Sequence, residues 1–209
     1  MTSRFSRSNS VVFRATKELP WGGLSNMAAG YGLLVNGHLF RTSEALYQAL
    51  RYADDVSEDG VLIQELIRQE KSPMAAKMVS KKYNRLTRDD WDFTRVKVMD
   101  WCLRAKLHAH WDKFGELLLA TGSLPIVEES HKDRFWGAVA VRGNNEVLEG
   151  ENTLGHLLAR LRSHVIDGRR PSIGELPITG MTVLGLPPLS VDAAPEIVEP
   201  RQIGLFEDA

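Results

Sequence analysis

The stretch YGLLVNGHLFRTSEALYQALRYA, residues 31–53, combines the signals of a β-hairpin with those of a capped helix. Two short apolar runs flank Asn36-Gly37, a pair that favours a two-residue hairpin turn because both turn positions take positive φ. Thr42 and Ser43 are natural N-caps for a helix that follows, with apolar residues three and four positions apart. A hairpin that leads directly into a helix predicts an α+β fold.

The rest of the chain extends this pattern with more helices than strands. Residues 11–15 and 136–141 have strand composition, whereas residues 61–70, 73–82, 89–110, 112–120 and 151–165 have helical periodicity or cap signals. We therefore expect a mainly helical single domain around a small, mostly antiparallel sheet. The expected boundaries are a flexible N-terminus at 1–10, a catalytic domain at 11–170 and a Pro-containing acidic extension at 171–209.

The composition is that of a folded protein without a strong charge. The 209 residues carry a formal net charge of -1 and a single cysteine, Cys102, so that no internal disulfide is expected. Since the C-terminal tail is acidic, the body has a mild basic bias, which is compatible with an anionic ligand. No signal segment and no apolar run of about 18 residues is visible, and we expect a cytoplasmic protein without membrane contact.

Several common chemistries find no support in the sequence. No H-x-x-x-H or C-x-x-C pair occurs, and His108 and His110 are two apart on different helix faces, so no metal site is expected. G-x-S-x-G and the phosphate-binding glycine loops are absent, and Cys102 lies in a helical apolar stripe typical of core.

Carboxylates are the more promising candidates for catalysis. Glu44 and Gln48 lie four apart on one helix face, and a second group, Glu128, Glu129 and Asp133, stands beside Trp136 in a loop of ionisable residues. An acid beside an aromatic wall can have a raised pKa and transfer protons. The alternatives are that these acids cap helices or solvate a loop, and that Trp136 belongs to the core.

Six ordered blocks resemble one family. They are GGLSNM, TSEALYQALR, SPMAAKM, DDWDFTRVKVMDWCLRAKL, LLLATGSLPIVEESHKDRFWGA and GENTLGHLLARLR, and together they resemble the NADAR family, the NAD and ADP-ribose associated domain, over residues 11–165. The resemblance implies N-glycosidase activity. One branch of the family cleaves intermediates of riboflavin synthesis. Another removes ADP-ribose from guanine in DNA and so reverses a DNA-targeting ADP-ribosyltransferase toxin, and the wording of EALYQALR, SPMAAKM and PIVEES is closer to this second branch.

The resemblance also implies catalytic roles. Lys17 would form a Schiff base with the opened ribose, Glu44 would act as the acid and base, and Asp133 would orient a hydroxyl or water. Such chemistry needs neither cofactor nor metal. The alternatives are hydrolysis of a ribosylamino-pyrimidine from riboflavin synthesis, and a module that binds NAD or ADP-ribose without turnover.

The expected ligand, ADP-ribose or ADP-ribosylated guanine in DNA, would be held by residues from several parts of the chain. Backbone groups of residues 22–26, with Arg41, Arg51 or Lys97, are candidates for the diphosphate. The complete set of ligand-binding residues that we expect is Gly23, Ser25, Asn26, Arg41, Gln48, Trp91, Glu129, Trp136, Gly137 and Asn152.

One short motif lies outside these blocks. QIGLF, Gln202 to Phe206, resembles the peptide by which bacterial DNA-processing proteins bind the sliding clamp, and such a peptide would dock Leu205 and Phe206 in an apolar pocket. The alternative is that these side chains pin the C-terminus to the protein's own surface.

Overall fold

The computed structural model of the chain describes residues 2–14, 16, 18–52, 58–174 and 176–195. Its helices are α1 (Ser43–Ala49), α2 (Glu58–Gln69), α3 (Pro73–Lys82), α4 (Trp91–Ala109), α5 (Trp111–Ala120) and α6 (Thr153–Ile166). Its strands are β1 (Ser3–Ser6), β2 (Val11–Phe13), β3 (Leu33–Val35), β4 (His38–Phe40), β5 (Ile126–Glu128), β6 (Val139–Val141), β7 (Asn144–Gly150) and β8 (Val191–Ala193). The fold is an α+β single domain, as the sequence predicted.

The strands form three small sheets in the described part of the chain. Two are antiparallel, in the orders β1-β7-β6 and β4-β3-β8, and the third is the parallel pair β2-β5. We expected one small sheet, and the mostly antiparallel character is confirmed. The parallel pair aligns Phe13 with Glu128 and so fixes the position at which the charged loop begins.

The hairpin and the helix that follows it form as the sequence predicted. Asn36 and Gly37 have φ of 50° and 79°, as a two-residue hairpin turn requires. The Thr42 hydroxyl accepts a hydrogen bond from the Ala45 amide at 3.2 Å and caps α1. Every residue of α1 is buried, including the polar ones, because the helix packs against α2, α3 and α4.

The N-terminal residues, which we expected to be flexible, contain strand β1. Ser3–Ser6 pair with residues 147–150 as β1, and Phe5 packs on a small apolar cluster formed by Val127, Ala138 and Leu148. The partner strand lies more than 140 residues away in the sequence, so that no local pattern announces this pairing.

Residues 171–174 and 176–195 of the expected extension pack against the rest of the domain. Met181, Val183 and Val191 are almost fully buried in the main core, and β8 pairs with β3. The Gln64 side chain donates to the Thr182 carbonyl at 3.1 Å and ties α2 to this segment. The segment therefore completes the core, because its apolar residues cover α2 and α4.

The core is built around α4. Trp101, Cys102 and Leu103 have no exposed surface, which confirms the structural interpretation of Cys102. The Trp101 indole donates to the Ile173 carbonyl at 3.1 Å, so that this buried N–H is satisfied. Within the described ranges, no helix is long and apolar enough to span a membrane.

Candidate functional site

A cavity of about 620 Å³ opens between α1, the start of α4 and the charged loop that follows β5. Its walls combine carboxyl, basic and aromatic side chains. The lining residues are Arg14, Asn26, Met27, Glu44, Tyr47, Gln48, Arg51, Lys77, Trp91, Asp92, Arg95, Met99, Glu128, Glu129, Ser130, His131, Asp133, Trp136 and Leu154. A cavity of this size and mixed lining suits a ligand of nucleotide size.

Glu44 is the most deeply buried acid of the cavity. Asn26 Nδ2 donates to its Oε2 at 2.5 Å, and Gln48 Nε2 donates to its Oε1 at 2.8 Å. Burial raises the pKa of Glu44, while the charge of Lys77 and the two amide hydrogen bonds act in the opposite direction. The two amides fix the orientation of the carboxyl group.

Glu128 is a second acid with a raised pKa. Burial, with the charges of Glu44 and Asp133, raises the pKa of Glu128 to about 7. A carboxyl group with a pKa near 7 carries a proton part of the time at neutral pH, which is the property of a general acid. It is an acid in the lining that desolvation and a specific charge partner both perturb, as is typical of functional sites.

Backbone contacts hold Glu128 in place. Asn152 Oδ1 accepts from the Glu128 amide at 3.1 Å, and Asn152 Nδ2 donates to the Ile126 carbonyl at 2.8 Å. A Cβ at Gly137 would lie 2.4 Å from the Glu128 carbonyl oxygen, so that only glycine permits this approach. Asn152 and Gly137 thus position β5 and its terminal acid from behind the cavity.

The charged loop is ordered by its own polar groups. Asp133 Oδ1 accepts from the amides of Phe135 and Trp136, both at 2.9 Å, and Ser130 Oγ accepts from the Asp133 amide at 3.0 Å. Arg7 donates to both oxygens of Glu129, and this hydrogen bonding lowers the pKa of Glu129. The loop therefore presents an ionised Glu129 and a fixed Asp133 at the edge of the cavity.

Aromatic rings form one wall. The Tyr47 ring lies 5.1 Å from Trp91 and 5.8 Å from Trp136, the latter edge to face. The Arg51 guanidinium lies 5.4 Å from the Trp91 ring centre, and that of Arg95 lies 4.0 Å from the Phe135 ring centre. Cations and rings alternate on this wall, an arrangement that suits a planar base joined to phosphate.

Three polar atoms of the lining are buried without a hydrogen-bond partner among the described residues. They are Gln48 Oε1, Arg51 Nε and Arg95 Nε. Unsatisfied buried polar atoms are costly, and their concentration at a cavity indicates that a ligand or solvent satisfies them. They are one acceptor and two donors, each with almost no surface accessible to solvent.

The residues selected from the sequence lie in several places in the structure. Seven line the cavity: Asn26, Glu44, Gln48, Trp91, Glu129, Asp133 and Trp136. Gly137 and Asn152 lie behind Glu128. The carbonyls of Gly23 and Ser25 accept hydrogen bonds from the buried Lys106, at 2.7 and 3.0 Å.

The remaining selected residues lie elsewhere. Arg41, a candidate for the diphosphate, lines a different cavity from Glu44. Lys97 is not part of the lining either. Lys17 and Gln202 to Phe206 lie outside the described residues, and their roles stay predictions.

Sequence reasoning named Glu128 only as one of several candidate acids, and it gave no role to Tyr47, Lys77 and Arg95, which are among the lining residues that it missed. A signal existed for Tyr47, because positions 44, 47, 48 and 51 share one helix face at the spacing i, i+3, i+4 and i+7. For Lys77 and Arg95 no local signal existed, since α3 and α4 bring them to the cavity only after packing.

Two carboxyl groups with raised pKa, set in a cavity with aromatic and basic walls, define a site for proton transfer to and from a bound heterocyclic ligand. In class, the fold and site are those of a small α+β protein with a cavity suited to acid–base chemistry on a bound ligand.

Comparison with known proteins agrees with this class. The NADAR domain matches residues 12–166. The chain is 34% identical over 155 residues to N-glycosidase YbiA of Shigella boydii serotype 4 (strain Sb227), covering 74% of this chain and 88% of that protein. It is 32% identical over 133 residues to a riboflavin biosynthesis protein of Vibrio vulnificus (strain YJ016), covering 64% of this chain and 33% of that protein.

The chain is also similar to a solved structure. The NMR structure of the E. coli protein YbiA has a TM-score of 0.59 and 28% sequence identity, over 78% of this chain and 92% of that one. The chain belongs to the NADAR family. Its similarity to proteins named N-glycosidase supports glycosidase activity.

Proposed function

We propose that this protein hydrolyses the bond between ADP-ribose and guanine in DNA, and that it acts as the antitoxin or repair partner of a DNA-targeting ADP-ribosyltransferase. The observation that carries the proposal is the pair of raised-pKa carboxyls, Glu44 and Glu128, within one cavity that also presents cationic groups and aromatic rings. A base, a ribose and a diphosphate each have a matching type of side chain there.

Glu128 is the proton donor of the proposed reaction. Cleavage leaves an electron pair on the departing guanine nitrogen, and a carboxylic acid with a pKa of about 7 is suited to protonate it. Glu44, held by Asn26 and Gln48, protonates the ring oxygen as the bond to the anomeric carbon breaks and the ribose opens, and it takes that proton back when the ring closes again. Asp133 Oδ1 accepts the hydrogen bonds that order the loop, and Asp133 Oδ2 orients the attacking water.

Lys17 is the proposed nucleophile. Its neutral amine attacks the anomeric carbon of the opened ribose, the bond from that carbon to guanine breaks, and a C=N bond to the lysine forms. Water then adds to this carbon, and the carbon–lysine bond breaks as the amine recovers its proton. ADP-ribose and intact guanine are released, so that atoms and charges balance without a cofactor.

Binding contacts follow from the unsatisfied atoms of the lining. The guanidinium groups of Arg51 and Arg95 each have a buried Nε without a partner among the described residues, and they are proposed to hold the diphosphate. Gln48 Oε1 is proposed to accept a hydrogen bond from the amino group of guanine. Tyr47, Trp91 and Trp136 supply the surface on which the base packs.

A DNA substrate requires an accessible base. The modified guanine must be single-stranded or turned out of the duplex in order to enter a cavity between helices. The mild basic bias of the body favours weak and salt-sensitive contact with DNA.

A second candidate is hydrolysis of a ribosylamino-pyrimidine phosphate. The observation that favours it is the similarity to proteins named for riboflavin biosynthesis. Its substrate also joins a phosphorylated ribose to a heterocycle, so that the same acids and cations would serve. A small substrate and indifference to DNA distinguish it.

The decisive experiment incubates the purified protein with a single-stranded oligonucleotide that carries ADP-ribosyl-guanine, with wild type, Lys17→Ala and Glu128→Gln side by side, and identifies products by mass. We expect free ADP-ribose from the wild type and at least a hundredfold slower release from both variants. Borohydride should trap a covalent adduct in wild type alone.

Other outcomes lead to other functions. Full activity of Lys17→Ala would remove the Schiff-base step while leaving the reaction intact. If wild type leaves the oligonucleotide unchanged and cleaves a ribosylamino-pyrimidine phosphate, the second candidate is correct. Tight ADP-ribose binding without cleavage of either substrate would identify a binding module.

A further inference from the structure

The exposed surface of α3 and of the short 3₁₀ helix that follows it, Asn84–Leu86, adjoins the cavity of the candidate site. Lys77 of α3 lines that cavity. Arg51, another lining residue, donates to Asn84 Oδ1 at 2.6 Å and to the Thr87 hydroxyl at 3.1 Å, so that it contacts the 3₁₀ helix directly. The surface therefore begins at the rim of the cavity.

Exposed positive charge continues along this surface. Lys81 follows Lys77 by four residues, so that it lies on the same side of α3 and about 6 Å further along the helix axis. Lys82 ends α3, and Arg85 belongs to the 3₁₀ helix. All four side chains are exposed, and we call Lys77, Lys81, Lys82 and Arg85 the basic surface. It extends from the cavity rim to the 3₁₀ helix.

Apolar side chains lie among these cations. Met78 is 58% exposed and Leu86 is 52% exposed. Tyr83 is partly exposed, and Lys82 Nζ lies 5.4 Å from its ring centre. Surfaces that bind single-stranded nucleic acid combine cations, which follow the phosphates, with rings or apolar groups on which the bases pack. The composition of this surface matches that requirement.

Stabilisation of the helix dipole is the simpler explanation for part of this charge. Lys81 and Lys82 lie in the last turn of α3, where a positive charge interacts favourably with the helix dipole. That effect falls off within one turn. It therefore does not account for Lys77, which lines the cavity, or for Arg85, which lies beyond the end of α3.

We propose that the basic surface binds the phosphates of the single-stranded DNA that flanks the modified guanine, while the base itself occupies the cavity. This inference rests on the proposed function and adds the path of the strand. The five steps from residue 77 to residue 82 span about 7.5 Å, or roughly two nucleotides at ~3.4 Å each, and Arg85 adds a further contact. Asp89 and Asp92 are exposed at the start of α4, so that repulsion keeps the phosphates on the α3 side.

The first test measures binding of an unmodified, fluorescently labelled single-stranded DNA pentadecamer to the full chain at several salt concentrations. We expect Lys81→Gln/Lys82→Gln/Arg85→Gln to weaken binding at least tenfold at low salt. Its slope of log affinity against log salt should be shallower by about 2, since each phosphate contact on a single strand contributes about 0.7. Arg85→Gln alone, which leaves α3 unchanged, should reduce the slope by about 0.7. In ¹H–¹⁵N NMR, the amides of Lys81, Lys82 and Arg85 should shift when DNA is added.

The matched control is Arg142→Gln/Arg160→Gln/Arg169→Gln, which removes three exposed arginines from other parts of the chain and gives the same net charge. It should leave the affinity within about twofold. Poly-L-glutamate is the second polyanion, and it should bind at least tenfold more weakly because it offers no bases to Met78 and Leu86. The proposal is overturned if wild type does not bind the pentadecamer, if the basic-surface variant binds it as wild type does, if the control variant loses as much affinity, or if poly-L-glutamate binds equally well.

The second test separates this inference from the proposed function. With ADP-ribosyl-guanine in the pentadecamer, the basic-surface variant should have a KM at least tenfold higher and a kcat within about twofold of wild type, whereas both proteins should cleave isolated ADP-ribosyl-guanosine equally. If wild type binds the pentadecamer through these amides and cleaves neither substrate, the proposed function fails and the DNA-binding surface stands. If wild type cleaves both substrates and the KM of the variant is unchanged, the inference fails and the proposed function stands.

Discussion

Arg7 donates hydrogen bonds to both carboxylate oxygens of Glu129, Nη1 to Oε2 at 2.9 Å and Nη2 to Oε1 at 2.6 Å, and so joins the N-terminal segment to the candidate active-site loop. The residues are 122 positions apart in the sequence. This bidentate contact fixes Glu129 at the edge of the cavity. It also keeps Glu129 ionised, because hydrogen bonding to Arg7 lowers the pKa of Glu129.

Replacing Arg7 should cost stability in a pH-dependent way. We expect Arg7→Met to lose about 1 kcal/mol of unfolding free energy at pH 7, because the pair is only partly exposed and bidentate. A carboxyl with a lowered folded pKa contributes stability above its unfolded pKa and loses it as pH falls through the folded value. Urea unfolding at pH 7 and pH 3 should therefore show a smaller difference at pH 3.

Arg4→Met is the matched control for this change. Arg4 also lies on the N-terminal strand, but its nitrogen is 3.9 Å from Glu149 and its side chain is 72% exposed. Its loss should change stability by less than about 0.5 kcal/mol. Equal effects of the two substitutions would show that Arg7 contributes only surface charge.

The raised pKa of Glu128 predicts opposite effects on activity and stability. If Glu128 is the proton donor, kcat/KM of wild type falls as pH rises through about 7, because the donor loses its proton. Glu128→Gln should abolish most of the activity, and the residual rate should no longer fall as pH rises through about 7. A wild-type rate that is flat from pH 6 to pH 8 would exclude Glu128 as the acid.

The same substitution should stabilise the fold at high pH. Between about pH 4.5 and 7 the folded chain holds a proton on Glu128 that the unfolded chain has lost, so the unfolding free energy falls with rising pH by up to about 3 kcal/mol. The unfolding free energy of Glu128→Gln should not show this fall with rising pH. Thermal unfolding at pH 5 and pH 8 should show that the stability of the variant increases relative to wild type only at pH 8.

Local patterns predicted the elements whose partners are close in sequence. Asn36-Gly37 and the Thr42 cap define the hairpin and α1 because turn and cap chemistry act within a few residues. Strand β1 has no such pattern, since SRFS becomes a strand only by pairing with β7. Strand β8 likewise has no local pattern, and it forms by pairing with β3.

The site was predictable to a similar extent. The helix face of α1 brings Glu44 and Gln48 together by spacing alone. Which of the adjacent acids Glu128 and Glu129 has a raised pKa depends on the β2-β5 pairing, on Asn152 and on Gly137. These contacts join distant segments, and no local spacing shows them.

Gln48 is expected to determine base preference. Its Oε1 is buried and without a partner among the described residues, while its Nε2 is engaged by Glu44. If Oε1 accepts from the guanine amino group, wild type should cleave ADP-ribosyl-guanine about fivefold better than the hypoxanthine analogue, which lacks that group, since one such hydrogen bond is worth about 1 kcal/mol. Gln48→Leu should lose this preference, whatever its effect on the overall rate. A preference that survives in Gln48→Leu would assign base recognition to another residue.

Lys106 is expected to support the site from behind. It has no exposed surface, and it holds the carbonyls of Gly23 and Ser25 just before Asn26, the partner of Glu44. Lys106→Met removes the hydrogen bonds to the Gly23 and Ser25 carbonyls, of which only the Ser25 carbonyl keeps a second bond, from the Ala28 amide, and it should cost about 2 kcal/mol of unfolding free energy, with lower kcat. Lys97→Met, at an exposed position of the same helix, should cost less than about 0.5 kcal/mol.

The pH dependence of stability separates this role of Lys106 from simple packing. Burial lowers the pKa of Lys106 well below its ordinary value of 10.5, so that the unfolded chain holds more protons than the folded chain at pH values between the two. The unfolding free energy of wild type therefore rises with pH in that window, and Lys106→Met lacks this rise. If denaturant unfolding from pH 7 to pH 10 gives parallel curves for the two proteins, Lys106 is not a desolvated amine and acts by shape alone.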